Sequence, residues 1–281
     1  MNYINKFFPI LLVSTLLLTV VGCKKDPEGL GDEASKAKIA IFNFATPTRS
    51  TAPNATTFVQ GYFLTMDGVR LYTMALPTGK STGYFLAEAG TRVINADTAV
   101  IQQNVVNPSA TVKTTSLQTE ANKYYSIYYT GLNQNPEVVI TTDDLTRPAN
   151  DKVKIRVINL SPDAGNLDLA GRLTNETTPR MNLFTALSYK TNNAFREIPP
   201  GFYSLEIKET STGTVFSSFT DDNQNPPRIQ PSTSLRANFS MLFEGGKIYT
   251  LIINGYRTPT IAAVGQPAQP LAVSAAINLY F

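Results

Sequence analysis

KVKIRVIN, residues 152–159, and KIAIFN, residues 38–43, are one phrase written twice. In each, apolar residues recur at every second position and the run stops at an asparagine, Asn159 or Asn43. Period-two alternation of Val and Ile marks a β-strand, because successive side chains leave a strand on opposite faces. Outward from these strands the two halves keep in step. AFREIPPGFYSLEI (194–207) repeats the strand–glycine–strand pattern around Gly90, and GKIYTLIING (246–255) repeats ANKYYSIYYTG (121–131). An internal duplication follows, and it governs the whole reading.

Short runs rich in Val, Ile, Tyr, Phe and Thr, separated by Gly, Pro, Asn and Asp, predict an all-β chain. Met66-Asp67-Gly68-Val69 carries the Asp-Gly pair of a tight hairpin. The spacing of turns predicts two tandem immunoglobulin-like β-sandwich domains, residues 37–146 and 147–281. The polar, proline-broken stretch DDLTRPAND (143–151) joins them. With no Trp and a single Cys, the Cys–Trp–Cys signature of antibody domains is absent, so the expectation concerns architecture alone.

Residues 1–22 divide like a secretory leader: a short polar start with Lys6, an apolar run from Phe7 to Val21, then Gly22. The apolar run is shorter than the ~20 residues a membrane-spanning helix needs. Val20-Val21-Gly22-Cys23 resembles the lipobox of bacterial lipoproteins. That resemblance implies cleavage before Cys23 and acylation of its thiol and amino group, which would hold the chain on a membrane. Two or more acyl chains anchor a protein stably where one does not. Residues 23–36 read as a flexible tether. The segment Lys24-Lys25-Asp26-Pro27-Glu28 partly resembles the signal that sends some Gram-negative lipoproteins to the cell exterior; a periplasm-facing tether is the alternative.

The formal charge of the whole chain is +3, and Lys6 would leave with the leader. With no clustered Lys and Arg, nucleic acid is not an expected partner. The chain has no histidine, which excludes Ser-His-Asp and Cys-His catalysis and histidine-based metal sites. No glycine-rich phosphate loop occurs. What remains is carboxylate chemistry or an oxygen-liganded cation, for which Asp143-Asp144 and Asp221-Asp222-Asn223 offer the groups. Both lack the spacing of a calcium loop and read as solvated turns. No cofactor and no metal are expected.

The stretch Val157-Ile158-Asn159-Leu160-Ser161-Pro162-Asp163-Ala164, then Leu167-Asp168-Leu169 and later Pro199-Pro200-Gly201-Phe202-Tyr203, resembles the domain of unknown function 4397 family. Its members are bacterial extracellular β-sandwiches, often paired behind a lipoprotein signal. The resemblance extends from residue 152 to about 257. It is looser in the first repeat, where Phe44-Ala45-Thr46-Pro47-Thr48 lacks the Asp-Ala. It implies fold and location and lends no catalytic residues.

Two features remain. In Tyr124-Tyr125-Ser126-Ile127-Tyr128-Tyr129, Tyr124 and Tyr128 share one face and form a candidate platform for sugar rings or aromatic partners. The closing AVSAAINLYF (272–281) resembles the last strand of an outer-membrane barrel, or is simply the last strand of the second sandwich. The sequence thus predicts a non-enzymatic lipoprotein of the outer membrane, facing the exterior. It would be held by lipid on Cys23 and bind a glycan or protein at the envelope, or serve a structural role there. The alternative is a carboxylate-dependent polysaccharide hydrolase.

Overall fold

The computed structural model describes residues 33–46, 61–102, 105–215, 239–257, 261–263, 266–267 and 272–277. Cys23, the leader, residues 23–32 of the tether and Asp221-Asp222-Asn223 lie outside the described residues. Among those described, the chain is built of strands, with one short 3-10 turn, Glu33–Ser35.

The first repeat holds β1 (Lys36–Asn43), β2 (Gly61–Met66), β3 (Val69–Arg70), β4 (Leu76–Pro77), β5 (Lys80–Glu88), β6 (Gly90–Gln102), β7 (Val105–Thr119), β8 (Tyr124–Leu132) and β9 (Asn135–Asp143). The second holds β10 (Val153–Asn159), β11 (Leu167–Leu173), β12 (Met181–Leu187), β13 (Arg196–Ile198), β14 (Gly201–Glu209), β15 (Phe239–Phe243), β16 (Ile248–Asn254), β17 (Ile261–Ala263), β18 (Gln266–Pro267) and β19 (Ala272–Ile277).

The duplication is visible strand by strand. One sheet of the first repeat runs β5-β1-β8-β9 and its counterpart runs β13-β10-β16-β19. The other runs β3-β2-β6-β7 and its counterpart β12-β11-β14-β15. In both repeats the first strand lies parallel to the eighth or its equivalent: Lys38 pairs with Tyr124, and Lys154 with Ile248. Gly90 and Gly201, at φ 116° and 142°, make the sharp turns that only glycine takes easily. The Asp67-Gly68 hairpin has φ 50° and 81° at its two central residues, the geometry that Asp-Gly predicts.

Each sandwich has its own core. Ile39, Ile41, Tyr62, Leu64, Ile94, Tyr125, Ile127 and Tyr129 fill the first; Ile155, Val157, Leu169, Leu205, Phe243, Tyr249 and Leu251 fill the second. In each, a tyrosine hydroxyl reaches back along the chain: Tyr125 accepts the Glu120 N–H and Tyr249 the Glu244 N–H, both at 3.0 Å. Immunoglobulin-like sandwiches use such a tyrosine corner to fix the entry to a central strand. The terminal asparagines of the founding strands work alike as well. Asn43 Oδ1 accepts the Ala45 N–H at 3.1 Å and Asn159 Oδ1 the Ser161 N–H at 2.9 Å. These local turns stop the strand and redirect the chain.

A third core lies between the repeats. Ala40, Phe42, Phe44, Tyr128 and Val139 of the first pack against Ile158, Leu160 and Ile252 of the second. The β1, β8, β10 and β16 strands are therefore buried on both faces, and the sheets stack four deep. Accordingly Glu33–Phe281 is one compact unit. The stretch 143–151, expected as an ordinary linker, joins two bodies that are already packed face to face. The described part of the closing segment, β19, pairs antiparallel with β16 as the edge strand of the second sandwich.

Candidate functional site

The seam between the repeats brings most of the notable polar side chains together. It starts from a small residue: Ala40, whose missing bulk leaves room for Tyr84, its partner across the β1–β5 register. Tyr84 lies over that gap and donates its hydroxyl to Asp143 Oδ2 at 2.5 Å, with Ser126 Oγ 3.1 Å away. Ser126 and Thr141 also donate to Asp143, at 2.5 and 2.7 Å. Across the seam, Arg156 closes on Asp143 Oδ1 with Nη2 at 2.6 Å. Its Nε donates to Thr250 Oγ1 at 2.9 Å and Nη2 to the Tyr128 hydroxyl at 3.1 Å. The Phe195 ring covers the guanidinium, its centroid 4.5 Å away.

The Asp143 and Arg156 side chains are 0% and 1% exposed. Two ions so buried survive only when each is fully hydrogen-bonded. Burial, with the Asp143 carboxylate beside it, pushes the Tyr84 hydroxyl far above its ordinary range. Burial also raises the Tyr128 hydroxyl. For Arg156, burial opposes the charge, but Tyr128 and Asp143 outweigh it and raise the group. The guanidinium therefore stays charged at any pH the protein meets.

Surface ion pairs flank this network at both ends. Asp144 receives Lys154 Nζ at 2.5 Å, and that bond, with Thr146, holds its carboxyl down at about 2. Glu137 on β9 receives the Tyr189 hydroxyl at 2.9 Å and Lys190 Nζ at 2.5 Å from the second repeat. The Lys190 bond is the largest cause lowering the Glu137 carboxyl.

The two sequence-predicted platform residues share a face, but that face is the seam. Tyr128 has 0% exposure and stacks on Phe42 with ring centroids 4.8 Å apart. Tyr124 is half-buried, edge-on to Tyr84 at 5.4 Å, with the Lys38 ammonium 5.2 Å from its ring centre. A stacking platform formed by these two is thus corrected: the second repeat covers the face that a single sandwich would leave open. The adjacent carboxylates Asp143 and Asp144 are committed separately, one buried and one on the surface, and do not oppose each other across a cleft. Among the described residues no group of His, Cys, Asp and Glu could hold a metal ion.

Sequence reasoning missed Arg156, Tyr84 and Phe195. A signal for the first was present. Register places Arg156 where the first repeat has Ala40, so a cation interrupts a strand that is apolar at the equivalent position. The Ser-Pro-Asp-Ala motif proves architectural: Asp163 Oδ1 accepts the Arg257 N–H at 2.7 Å and holds the chain after β16.

Residues 37–170 match the family model of a domain of unknown function, DUF4397. The DUF4397 match covers the first sandwich and runs through β10 into β11, taking in the Ser-Pro-Asp-Ala motif. The sequence motifs had placed the clearer resemblance on the second repeat. No match is found among curated proteins. Among the described residues no helix is long and apolar enough to cross a membrane.

Proposed function

We propose that this chain is a non-catalytic lipoprotein of the outer membrane, in which two DUF4397-type sandwiches act as one stiff binding or structural module. The seam carries this reading. An apolar core and a buried Asp143–Arg156 pair join the repeats, so the tandem behaves as a single body and not as beads on a string. Strands β1 and β10 point the same way, because Arg156 meets Tyr128 while Leu160, further on, accepts the Thr130 hydroxyl at 2.7 Å. The carboxyl ends of β1, β8, β10 and β16 therefore lie together, at the end furthest from Lys36. A lipid-held module would present that end outward. The engagement of Asp143 by Arg156 weighs against an Asp143-Asp144 hydrolase.

Incorporation of labelled palmitate by wild type and its loss in Cys23→Ala tests the anchor; equal labelling of both overturns it. Protease treatment of intact cells separates the two faces of the membrane. Cleavage without lysis supports display on the exterior, and protection until lysis assigns the periplasmic side.

A further inference from the structure

The duplication supplies an internal comparison at the end of the molecule where β1 begins. There the Lys36 and Lys152 carbonyls each accept a backbone N–H at 2.8 Å, from Asn122 and Gly246. At the same end Gly90 and Gly201 open β6 and β14, pairing with Thr119 and Phe243. The next pair, whose side chains face outward, is Thr91–Gln118 in the first repeat and Phe202–Leu242 in the second. Thr91 Oγ1 donates to Gln118 Oε1 at 2.7 Å. Its counterpart is apolar and exposed, Phe202 at 56% and Leu242 at 42%, although Tyr203, Met241 and Phe243 beside them are buried in the core. A lone exposed apolar side chain needs no explanation. A ring and an aliphatic chain directly opposed on a solvent face, where the copy has a hydrogen-bonded polar pair, call for one. The rest of the outward row on β14 is polar: Ser204, Glu206 and Lys208, with Arg172 across from Ser204 on β11. Arg180 reaches Ser204 and Glu206 at 2.8 and 3.2 Å, and Lys208 reaches Glu206 at 2.9 Å.

We propose that the Phe202–Leu242 corner rests on the lipid bilayer, dipping into the boundary between headgroups and acyl chains. The proposal rests on the reading of the chain as a lipoprotein held through Cys23. Thirteen residues separate Cys23 from Lys36, so the anchor lies within ~45 Å of the start of β1. Phe202 faces outward from the outer sheet of the second repeat, two sheet spacings or ~20 Å from the β1 sheet, inside that reach. Apolar tips with arginines one step behind suit this boundary: ring and chain enter it, while the guanidinium groups stay among the headgroups. Two side chains hold a membrane weakly by themselves. Anchoring makes their contact intramolecular, and a weak contact then suffices to set the tilt of the body.

With no Trp and one Cys in the sequence, both labels for the test are unique. Glu33–Phe281 is one compact unit, so the chain from Cys23 onward is coupled through that thiol to a maleimide lipid in phosphatidylcholine vesicles. Phe202→Trp is compared with Thr91→Trp, and thermal melting checks that each is folded. The fluorescence of Phe202→Trp is expected to shift to the blue on coupling and to lose intensity when the acyl chains are brominated, while that of Thr91→Trp does neither. Quenching of Thr91→Trp as strong as that of Phe202→Trp, or of neither, overturns the contact. Because the coupling is chemical, this readout does not depend on acylation in the cell, which the palmitate experiment measures separately. Sedimentation of the Cys23→Ser chain probes the rival occupant. A dimer lost when the pair takes the residues of the first repeat, Phe202→Thr with Leu242→Gln, would assign the corner to a second copy and overturn the bilayer contact.

Discussion

Asp143 and Arg156 lie on different repeats and meet at 2.6 Å with both side chains out of contact with water. Each sits in a web of hydroxyls: Tyr84, Ser126 and Thr141 on the acid, Tyr128 and Thr250 on the base. Removing either ion strands the other. Asp143→Ala or Arg156→Ala is therefore expected to cost about 3–5 kcal/mol, read as a lowered urea midpoint. The double change Asp143→Leu/Arg156→Met should recover only part of the loss, because it leaves five hydroxyls without their ionic partners. Full recovery would show that the web contributes nothing beyond the ion pair.

Acid should loosen the ends of the seam. The Asp144 carboxyl is held at about 2, below its ordinary ~3.9 in an unfolded chain, and Glu137 is lowered too. A carboxylate depressed on folding stabilises the folded form above its unfolded value and loses that contribution as pH falls through the folded one. Thermal stability should accordingly fall from about pH 5 toward pH 2. Both acids are partly exposed, so each contributes less than about 1 kcal/mol. Asp144→Asn and Glu137→Gln should flatten the decline, most clearly at low salt. An unchanged slope in the double variant would assign the acid sensitivity to other groups.

The strands around Lys38, Lys152, Gly90 and Gly201 were legible because each carries a local signal: alternation, or a glycine where the chain reverses. The β7 strand was not, since VKTTSLQT reads as polar; its Thr and Ser side chains are suited to a pleated surface yet supply little hydrophobic contrast. The duplication was legible, but its consequence was not. Period two states that Tyr124 and Tyr128 share a face, and nothing in one strand states what covers it. Only register between repeats, with Ala40 facing the space that Tyr84 fills and Arg156 at the equivalent place, turns that face into an interface.

The paired tyrosine corners predict additive losses. Tyr125→Phe and Tyr249→Phe each remove the acceptor of one backbone N–H, from Glu120 or Glu244. Each should cost about 0.5–1.5 kcal/mol. They sit in different cores, so the double variant should lose the sum within ~0.5 kcal/mol. A clear excess over the sum, measured by chemical denaturation, would reveal coupling carried through the seam.

Gly245 and Gly246 give opposite answers to the same question. Gly246 has φ 74°, and the first repeat places Asn122, at φ 56°, in the corresponding turn. Asparagine tolerates this conformation, so Gly246→Asn should cost under about 1 kcal/mol, whereas Gly246→Val should cost more. An added Cβ there would meet only the ends of the Arg147 and Asn150 side chains, at 3.0 Å, which can shift. Gly245 needs no left-handed backbone, yet a Cβ on it would fall 2.0 Å from the Asn150 carbonyl oxygen. That oxygen belongs to the connection between the repeats and can move only if the backbone does. Gly245→Ala is therefore expected to destabilise more than Gly246→Asn, reversing the order that backbone angles alone would give. Equal denaturation midpoints for the two variants would mean that the connection yields freely and does not brace the seam.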